Sequence, residues 1–189
     1  MKLYIYRAVK TNVLTQGFYE NKNPYYATVG MKYHGGYDWL TIVDEPVYFD
    51  CSVQGMVLNC EIDGAGGLGI NVITETEEGI FKHRFWHLKE FKVKAGDLVD
   101  TGDLLGISDH TGLATANHLH RDMKEMIKNP ISGAYSVKDP ANGTFGTIPN
   151  ERFFENMYVV DFVNSLKSQV SILTKMVEII KQILGLKNQ

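Results

Sequence analysis

Cysteine is scarce in this chain of 189 residues, which contains only Cys51 and Cys60. Two cysteines build neither a disulfide framework nor a four-cysteine zinc ribbon, so a disulfide-stapled fold is excluded. They lie nine positions apart and could form one bridge between neighbouring strands. We favour two free, buried thiols, because reduced cysteine is among the residues most often found in protein cores.

Positive charge and long apolar runs are lacking as well. The sequence carries 19 Lys and Arg against 22 Asp and Glu, a net charge of −3, which argues against nucleic acid as a partner. No run reaches the roughly 18 apolar residues of a membrane span, and the first residues contain no apolar core of a signal peptide. We therefore expect no membrane span and no Sec-type export of this sequence.

Most of the remaining pattern predicts β structure. Between residues 41 and about 122, short runs alternate apolar and polar residues, glycines separate the runs, and helical periodicity is absent. Residues 129–150 are rich in proline and glycine, which predicts a loop. We therefore predict a mainly β fold, with an antiparallel β-sheet domain over residues 1–150.

The last segment, residues 151–189, predicts a C-terminal amphipathic helix. Its apolar residues recur in steps of four and three, which is a heptad seam: Val159, Val163, Leu166, Val170, Leu173, Val177, Ile180 and Leu184. Valine at one seam position and leucine at the other favour two-stranded parallel pairing. Phe162, Met176 and Ile183 widen the stripe, as they would in a helix packed on its own domain. We favour a homo-oligomer formed through helix 153–186, and self-packing stays open.

Two short histidine patterns indicate metal chemistry. His34 and Asp38 stand in H-G-G-Y-D, where the two glycines disfavour a helix and favour a loop or a strand end. His118 and His120 stand in H-L-H, and in a strand both rings would point to one side while Leu119 points to the other. Two imidazoles and a carboxylate are a catalytic zinc set that leaves a fourth position open. Histidines that are not ligands could then move protons.

Each pattern also has an ordinary explanation. H-x-x-x-D occurs often by chance in surface loops, and two histidines on a strand are often simply solvated. His87 follows Phe85 and Trp86 and could belong to an aromatic cluster. The occurrence of all these patterns in one chain, in this order and with β texture between them, favours the metal site.

The same motifs resemble those of the lysostaphin-type (LytM-like) zinc metallopeptidases, which hydrolyse peptide crosslinks of bacterial peptidoglycan. The resemblance covers residues 12 to about 140. It rests on four motifs in the family's order: His34-Gly35-Gly36-Tyr37-Asp38, Phe85-Trp86-His87-Leu88, the glycine-punctuated repeat from Gly96 to Gly106, and Thr111-Gly112 followed by His118-Leu119-His120.

The resemblance implies roles for five residues. His34, Asp38 and His120 would bind Zn²⁺, whereas His87 and His118 would flank the attacking water. One of the latter pair would act as general base, and the other would stabilise or protonate the tetrahedral intermediate. The family also implies the antiparallel β-sheet metallopeptidase fold for residues 1–150.

Some positions depart from the family or stay unassigned. Arg121-Asp122 follows H-L-H, where relatives usually have an aromatic residue and an acid. We expect His110 to be exposed and His83 to lie at the rim of the site or in solvent. Some relatives use a tyrosine near the oxyanion, but Tyr25, Tyr26 and Tyr33 do not stand in a register that identifies one of them.

The resemblance therefore predicts a zinc-dependent endopeptidase that cuts peptidoglycan stems or crossbridges. The alternative is a wall-binding or structural virion module that retains zinc with little catalysis, and a third hypothesis makes the helix an interaction segment with the β domain as a passenger. The lack of an export signal favours a phage-encoded enzyme, either carried in the virion or held in the host cytoplasm until release. Helix 153–186 could then bind a virion partner instead of a second copy.

Overall fold

A computed structural model describes residues 1–21 and 24–184. The end of the predicted helical segment, residues 185–189, and the side chain of Tyr25 lie outside the described part. The described strands are β1 (Ile5–Arg7), β2 (Leu14–Gln16), β3 (Tyr37–Leu40), β4 (Pro46–Tyr48), β5 (Gly55–Asp63), β6 (Gly67–Thr76), β7 (Gly79–Phe91), β8 (Leu98–Val99), β9 (Leu104–Ser108), β10 (His118–Lys128), β11 (Tyr135–Val137) and β12 (Phe154–Tyr158). Short 3₁₀ turns cover Pro24–Val29 and Glu151–Phe153, and one helix, α1, covers Val159–Leu184.

In the described part of the chain, ten strands form one sheet around the path β2-β3-β10-β7-β6-β5-β8. Its strand pairs are antiparallel, with β11 added to β10, and β4 reaching β7 through β9. The mainly β, antiparallel fold with a C-terminal helix is thus confirmed. Within the predicted loop 129–150, residues Tyr135–Val137 form the short strand β11.

The central strand β10 separates the core from a polar face. Leu119 and Met123 are fully buried in the apolar core, together with Phe85 and Leu88 of β7. Because side chains alternate across a strand, His118, His120 and Asp122 point to the opposite face. The predicted strand setting of H-L-H is confirmed, and so is the orientation of Leu119 to the opposite face, where the structure places it in the core.

The helix begins later than the sequence pattern predicts. Residues 151–158 form a 3₁₀ turn and β12, which pairs parallel with β1. Phe153 is buried against Phe81, and Phe154 stacks on Trp39 with ring centroids 5.7 Å apart. These aromatic anchors tie the segment to the core, so its residues form the 3₁₀ turn and β12 instead of the first turns of the helix. The proposed division into residues 1–150 and 151–189 stays a prediction.

Beyond its first turn, α1 projects away from the domain. Every residue from 164 to 180 is exposed, so the helix does not lie along its own β domain, and that alternative is wrong for the described residues. No helix in the described part of the chain combines the length and apolar character that crossing a bilayer requires. Both thiols are free, with Cys51 buried and Cys60 half-buried.

Candidate metal centre and active site

Two neighbouring strands and one loop bring His34, Asp38 and His120 together. Asp38 lies on β3 directly opposite His120 on β10. His34 precedes β3, and its backbone is held by hydrogen bonds from Tyr19 N to His34 O and from His34 N to Glu20 O. Gly36 permits this approach, because a Cβ atom there would lie 2.8 Å from the His120 ring.

The three side chains converge on one point. Nε2 of His34 lies 3.1 Å from Oδ1 of Asp38, and Nδ1 of His120 lies 2.9 Å from the same oxygen. The two ring nitrogens are 2.9 Å apart. These atoms therefore form a nearly equilateral triangle beside the cleft surface.

The outward-facing ring nitrogens set the chemistry of this triangle. Nδ1 of His34 donates to Gly17 O at 3.1 Å, and Nε2 of His120 donates to Oδ2 of Asp122 at 3.1 Å. A neutral imidazole carries a single N–H, so the inward nitrogens then present lone pairs. With Oδ1 of Asp38 they make three electron-pair donors in close contact, an arrangement that can hold a metal ion.

The donor set fits zinc. Zinc binds histidine nitrogen and carboxylate oxygen at about 2.0–2.2 Å in tetrahedral geometry, which separates ligand atoms by about 3.3 Å. The observed separations are close to that value. A carbonyl and a carboxylate orient the two imidazoles from behind, as is usual for histidines that bind metals.

The charges around the triangle favour a positive centre. Burial opposes ionisation of Asp38, but the contacts with His120 and His34 outweigh it and hold the pKa of Asp38 well below its usual range. Burial alone would lower the pKa of His120, but the carboxylates of Asp122 and Asp38 raise it to about 9. Without metal, a proton on His120 therefore takes the place of the cation, and it must leave when a metal binds.

His87 and His118 lie side by side next to the triangle, with ring centroids 4.5 Å apart. Nδ1 of His87 donates to Thr111 O at 2.7 Å, and Nδ1 of His118 donates to Ala116 O at 2.8 Å. Each Nε2 atom is thereby left free to exchange a proton, and that of His118 lies 3.7 Å from Oδ1 of Asp38. Burial, followed by repulsion from His120 and His118, lowers the pKa of His87 to about 4.

An open cleft of about 520 Å³ runs over these residues. Its floor includes the Trp86 ring, which lies so close to Gly66 and Gly69 that a side chain at either glycine would overlap it. One wall carries Tyr26, whose ring faces His34 with centroids 6.1 Å apart. Burial and the nearby Asp38 raise the pKa of Tyr26 to about 12, so it is a hydroxyl donor at neutral pH. The sequence did not distinguish Tyr26 from the neighbouring tyrosines.

Behind His120, an acid and a base form a pair that the sequence analysis did not single out. Oδ1 of Asp122 accepts from Nε of Arg84 at 2.6 Å, while its Oδ2 faces His120. Burial opposes ionisation of Asp122, but Arg84 and His120 outweigh it and hold its pKa well below the usual range. Asp122 stands two positions after His120, and this strand spacing was the available signal.

The expectation for His83 was wrong. The ring is fully buried beneath the sheet instead of lying at the rim. It contacts Thr74 Oγ1 at 2.8 Å and accepts from Nη2 of Arg121 at 2.9 Å. Two internal partners satisfy the imidazole, so burial costs it no hydrogen bond. The expectation for His110 is confirmed, since its side chain is exposed.

Sequence comparisons show that a known peptidase family and several known proteins are similar to this chain. The model of peptidase family M23 matches residues 32–132, a span that contains the five clustered residues. Lysostaphin from Staphylococcus simulans is 29% identical over 146 residues, 71% of this chain and 28% of its own length. Peptidoglycan DD-endopeptidase ShyB from Vibrio cholerae is 30% identical over 116 residues, 61% of this chain and 25% of its own length. The chain thus spans less than a third of the length of these relatives.

Solved structures have the same fold. The catalytic domain of the antimicrobial peptidase lysostaphin superposes with a TM-score of 0.56 at 22% identity, over 75% of this chain and 90% of that one. A zinc containing peptidase from Vibrio cholerae superposes with a TM-score of 0.52 at 27% identity, over 64% of this chain and 36% of that one. The family match covers more than half of the sequence, from before His34 to beyond the end of β10. The chain belongs to peptidase family M23.

Proposed function

We propose that this protein is a zinc-dependent endopeptidase that hydrolyses peptide bonds in the stems or crossbridges of peptidoglycan. The observation that carries the proposal is the triangle of inward-facing donor atoms from His34, Asp38 and His120, with His87 and His118 beside it. The names of similar proteins support the same chemistry, since one is a peptidoglycan endopeptidase and one is a zinc containing peptidase.

In this proposal His34, Asp38 and His120 hold Zn²⁺. A zinc ion supplies Lewis-acid polarisation and makes a nucleophile available at neutral pH. Gly17 O and Asp122 orient the two imidazoles, and Arg84 keeps Asp122 ionised.

His87 and His118 carry the protons. Hydrolysis of a peptide requires one group to take a proton from the attacking water and one to give a proton to the leaving amine. Each ring donates from Nδ1 to a backbone carbonyl, which fixes its orientation and aims Nε2 at the reacting atoms. Which ring acts first stays open. The Tyr26 hydroxyl is available to donate to the oxyanion.

The residues that line the cleft would contact the substrate peptide. Gly66 and Trp86 make a flat floor, and the exposed Ile62 and Asp63 border it. Which peptide bond is cut depends on these rims, so mass spectrometry of products from walls with different crosslinks is the direct assay.

The decisive experiment compares wild-type protein with His120→Ala for zinc content and for lysis of purified cell walls. We expect wild type to bind one zinc per chain and to lose its lytic activity on chelation. The variant should bind no zinc and should not lyse the walls. Unchanged lysis after chelation or in the variant would refute the proposal. Zinc binding by wild type without turnover on any wall preparation would favour the alternative, a wall-binding or structural virion module.

The biological setting stays a prediction from the sequence. This applies to phage origin, to a place in the virion or the host cytoplasm, and to a virion partner bound through helix 153–186. Deleting residues 164–189 removes the exposed part of the helix and leaves β12 and its aromatic anchors in place. This deletion separates the hypothesis of an interaction protein from that of an enzyme, because an enzyme should keep its lytic activity without the exposed helix.

A further inference from the structure

The apolar side of α1 has no cover within the described chain. The helix meets its own domain at its first turns, where Phe162 stacks on Tyr6 with centroids 4.3 Å apart and Val163 approaches Gly102. From Leu166 to Leu184 its large apolar side chains are 44–76% exposed. A soluble chain rarely leaves so long an apolar stripe in water, so this stripe marks an interaction surface.

The first stripe is the heptad seam. In the usual heptad letters, position a is occupied by Val163, Val170, Val177 and Leu184, and position d by Val159, Leu166, Leu173 and Ile180. Strict steps of four and three match a helix that supercoils with another helix. A helix resting on a sheet or at a lipid surface has no physical reason to keep a repeat of 3.5 residues.

A second stripe runs beside the first in the distal half of the helix. It consists of residues at heptad positions c and g, again in steps of four, three and four: Ile172, Met176, Ile179 and Ile183. All four are exposed. At 3.6 residues per turn, the two stripes together cover about 160° of the helix circumference. One partner helix covers the a and d seam and leaves position g at its edge and position c in water, so the second stripe calls for a second neighbour.

The core positions of the distal half point the same way. Ile180 stands at d and Leu184 at a, and isoleucine at d with leucine at a shifts coiled coils from two strands to three or four. The proximal half, with valine at a and leucine at d, favours two strands. The added stripe decides between them, because a dimer would leave Ile172 and Ile179 in water and cover Met176 and Ile183 only at its edge.

We propose that α1 assembles with further copies of this chain into a parallel bundle of three or more helices. Two stripes on one helix supply both faces of a contact that repeats around a closed ring. The charged residues lie on the remaining side, three lysines against two acids: Asp161, Lys167, Lys175, Glu178 and Lys181. A net charge of about +1 offers little attraction to an anionic lipid surface, so a second copy is the better occupant.

A parallel bundle gathers the β domains at one end, because each domain precedes its helix. Several clefts would then meet a polymeric substrate together, which raises the effective concentration at each cleft. This consequence rests on the proposed peptidase function, whereas the assembly itself does not.

The test is the mass of the full chain in solution, by size exclusion with light scattering at several concentrations. The chain has a mass of 21.3 kDa, and we expect a species of at least three chains. The second-stripe variant Ile172→Lys/Ile179→Lys should fall to two chains. The first-stripe variant Leu173→Lys/Val177→Lys should fall to one.

The matched control is Ser168→Lys/Ser171→Lys, which adds the same charge on the polar side and should keep the wild-type mass. A near-ultraviolet circular dichroism spectrum like that of wild type shows that the β domain of each variant is folded. A wild-type dimer or monomer at all concentrations overturns the proposal. The proposal is also overturned if the second-stripe variant has the same mass in solution as wild type. Co-sedimentation of a monomeric chain with anionic vesicles would assign the helix to membranes and overturn it as well.

Discussion

The guanidinium of Arg121 lies fully buried beneath the sheet and donates to both carboxylate oxygens of Asp50, at 2.9 and 3.0 Å. Arg121 follows the candidate ligand His120 and points to the opposite face of β10. Its Nη1 also donates to Asp122 O at 2.6 Å. The ion pair therefore holds β10 from below while the strand presents His118 and His120 above.

Removing one partner of this pair should destabilise the protein strongly. We expect Arg121→Met or Asp50→Asn each to lower the free energy of unfolding by about 3–5 kcal/mol, because a single buried charge is left without its partner. The double variant should lose less free energy of unfolding than the sum of the losses in the two single variants. Urea unfolding measures all three, and a loss below about 1 kcal/mol in either single variant would contradict this account.

Removing the charge of Asp122 should weaken the proposed zinc binding. We expect Asp122→Asn to lower zinc affinity about 10- to 100-fold, because His120 loses the carboxylate that orients it and raises its basicity. Competition with a chromophoric chelator measures the affinity. Glu90→Gln is the matched control, since Glu90 pairs only with the neighbouring Lys92 among the described contacts. Equal affinities for the two variants would show that Asp122 has no such role.

A side chain at Gly69 should displace the cleft floor. We expect Gly69→Ala to cost about 1–3 kcal/mol of stability, because its methyl group would overlap the Trp86 ring. Tryptophan fluorescence should shift, and the proposed wall hydrolysis should fall. Gly64→Ala meets no atom within 4 Å and should leave all three properties unchanged. An unshifted spectrum with normal stability in Gly69→Ala would argue against a close-packed floor.

Acidification should destabilise the fold through His83. Burial, followed by the charge of Arg121, holds the pKa of His83 well below its ordinary value of 6.5. Below pH 6.5 the unfolded chain binds a proton that the folded chain does not, so this contribution is complete above pH 6.5 and is lost as the pH falls.

The matched variant for this prediction is His83→Gln, which keeps an acceptor for Arg121 and a donor for Thr74 without titrating in this range. In zinc-free protein, we expect the stability of wild type relative to this variant to fall by up to about 1.4 kcal/mol per pH unit below 6.5. If the free energy of unfolding depends on pH in the same way in both proteins, His83 does not contribute to acid destabilisation.

Local sequence patterns predicted the sheet and the helix because each pattern spans a few residues. The alternation in β10 places His118 and His120 on one face, and the heptad repeat predicts a long helix. The five residues predicted for the site lie together in the structure, since their motifs encode both the side chains and the turns that present them. The start of α1 was predicted too early because Phe153 and Phe154 pack against Phe81 and Trp39, which lie far away in the sequence.

Contacts over long sequence distances were settled by the tertiary structure alone. The Arg121–Asp50 pair joins residues 71 positions apart, and no local pattern indicates that Asp50 neutralises an arginine on the buried face of β10. His83 shares the strand β7 with the cleft residue Trp86, but strand alternation puts it beneath the sheet, while the irregular backbone at His87 lets that ring join the cleft. Whether α1 packs on its own domain was likewise open in the sequence, because Phe162, Met176 and Ile183 widen the heptad stripe, as they would in a helix packed on its own domain. The structure decided it, since α1 contacts the β domain at its first turns, where Phe162 stacks on Tyr6, and every residue from 164 to 180 is exposed.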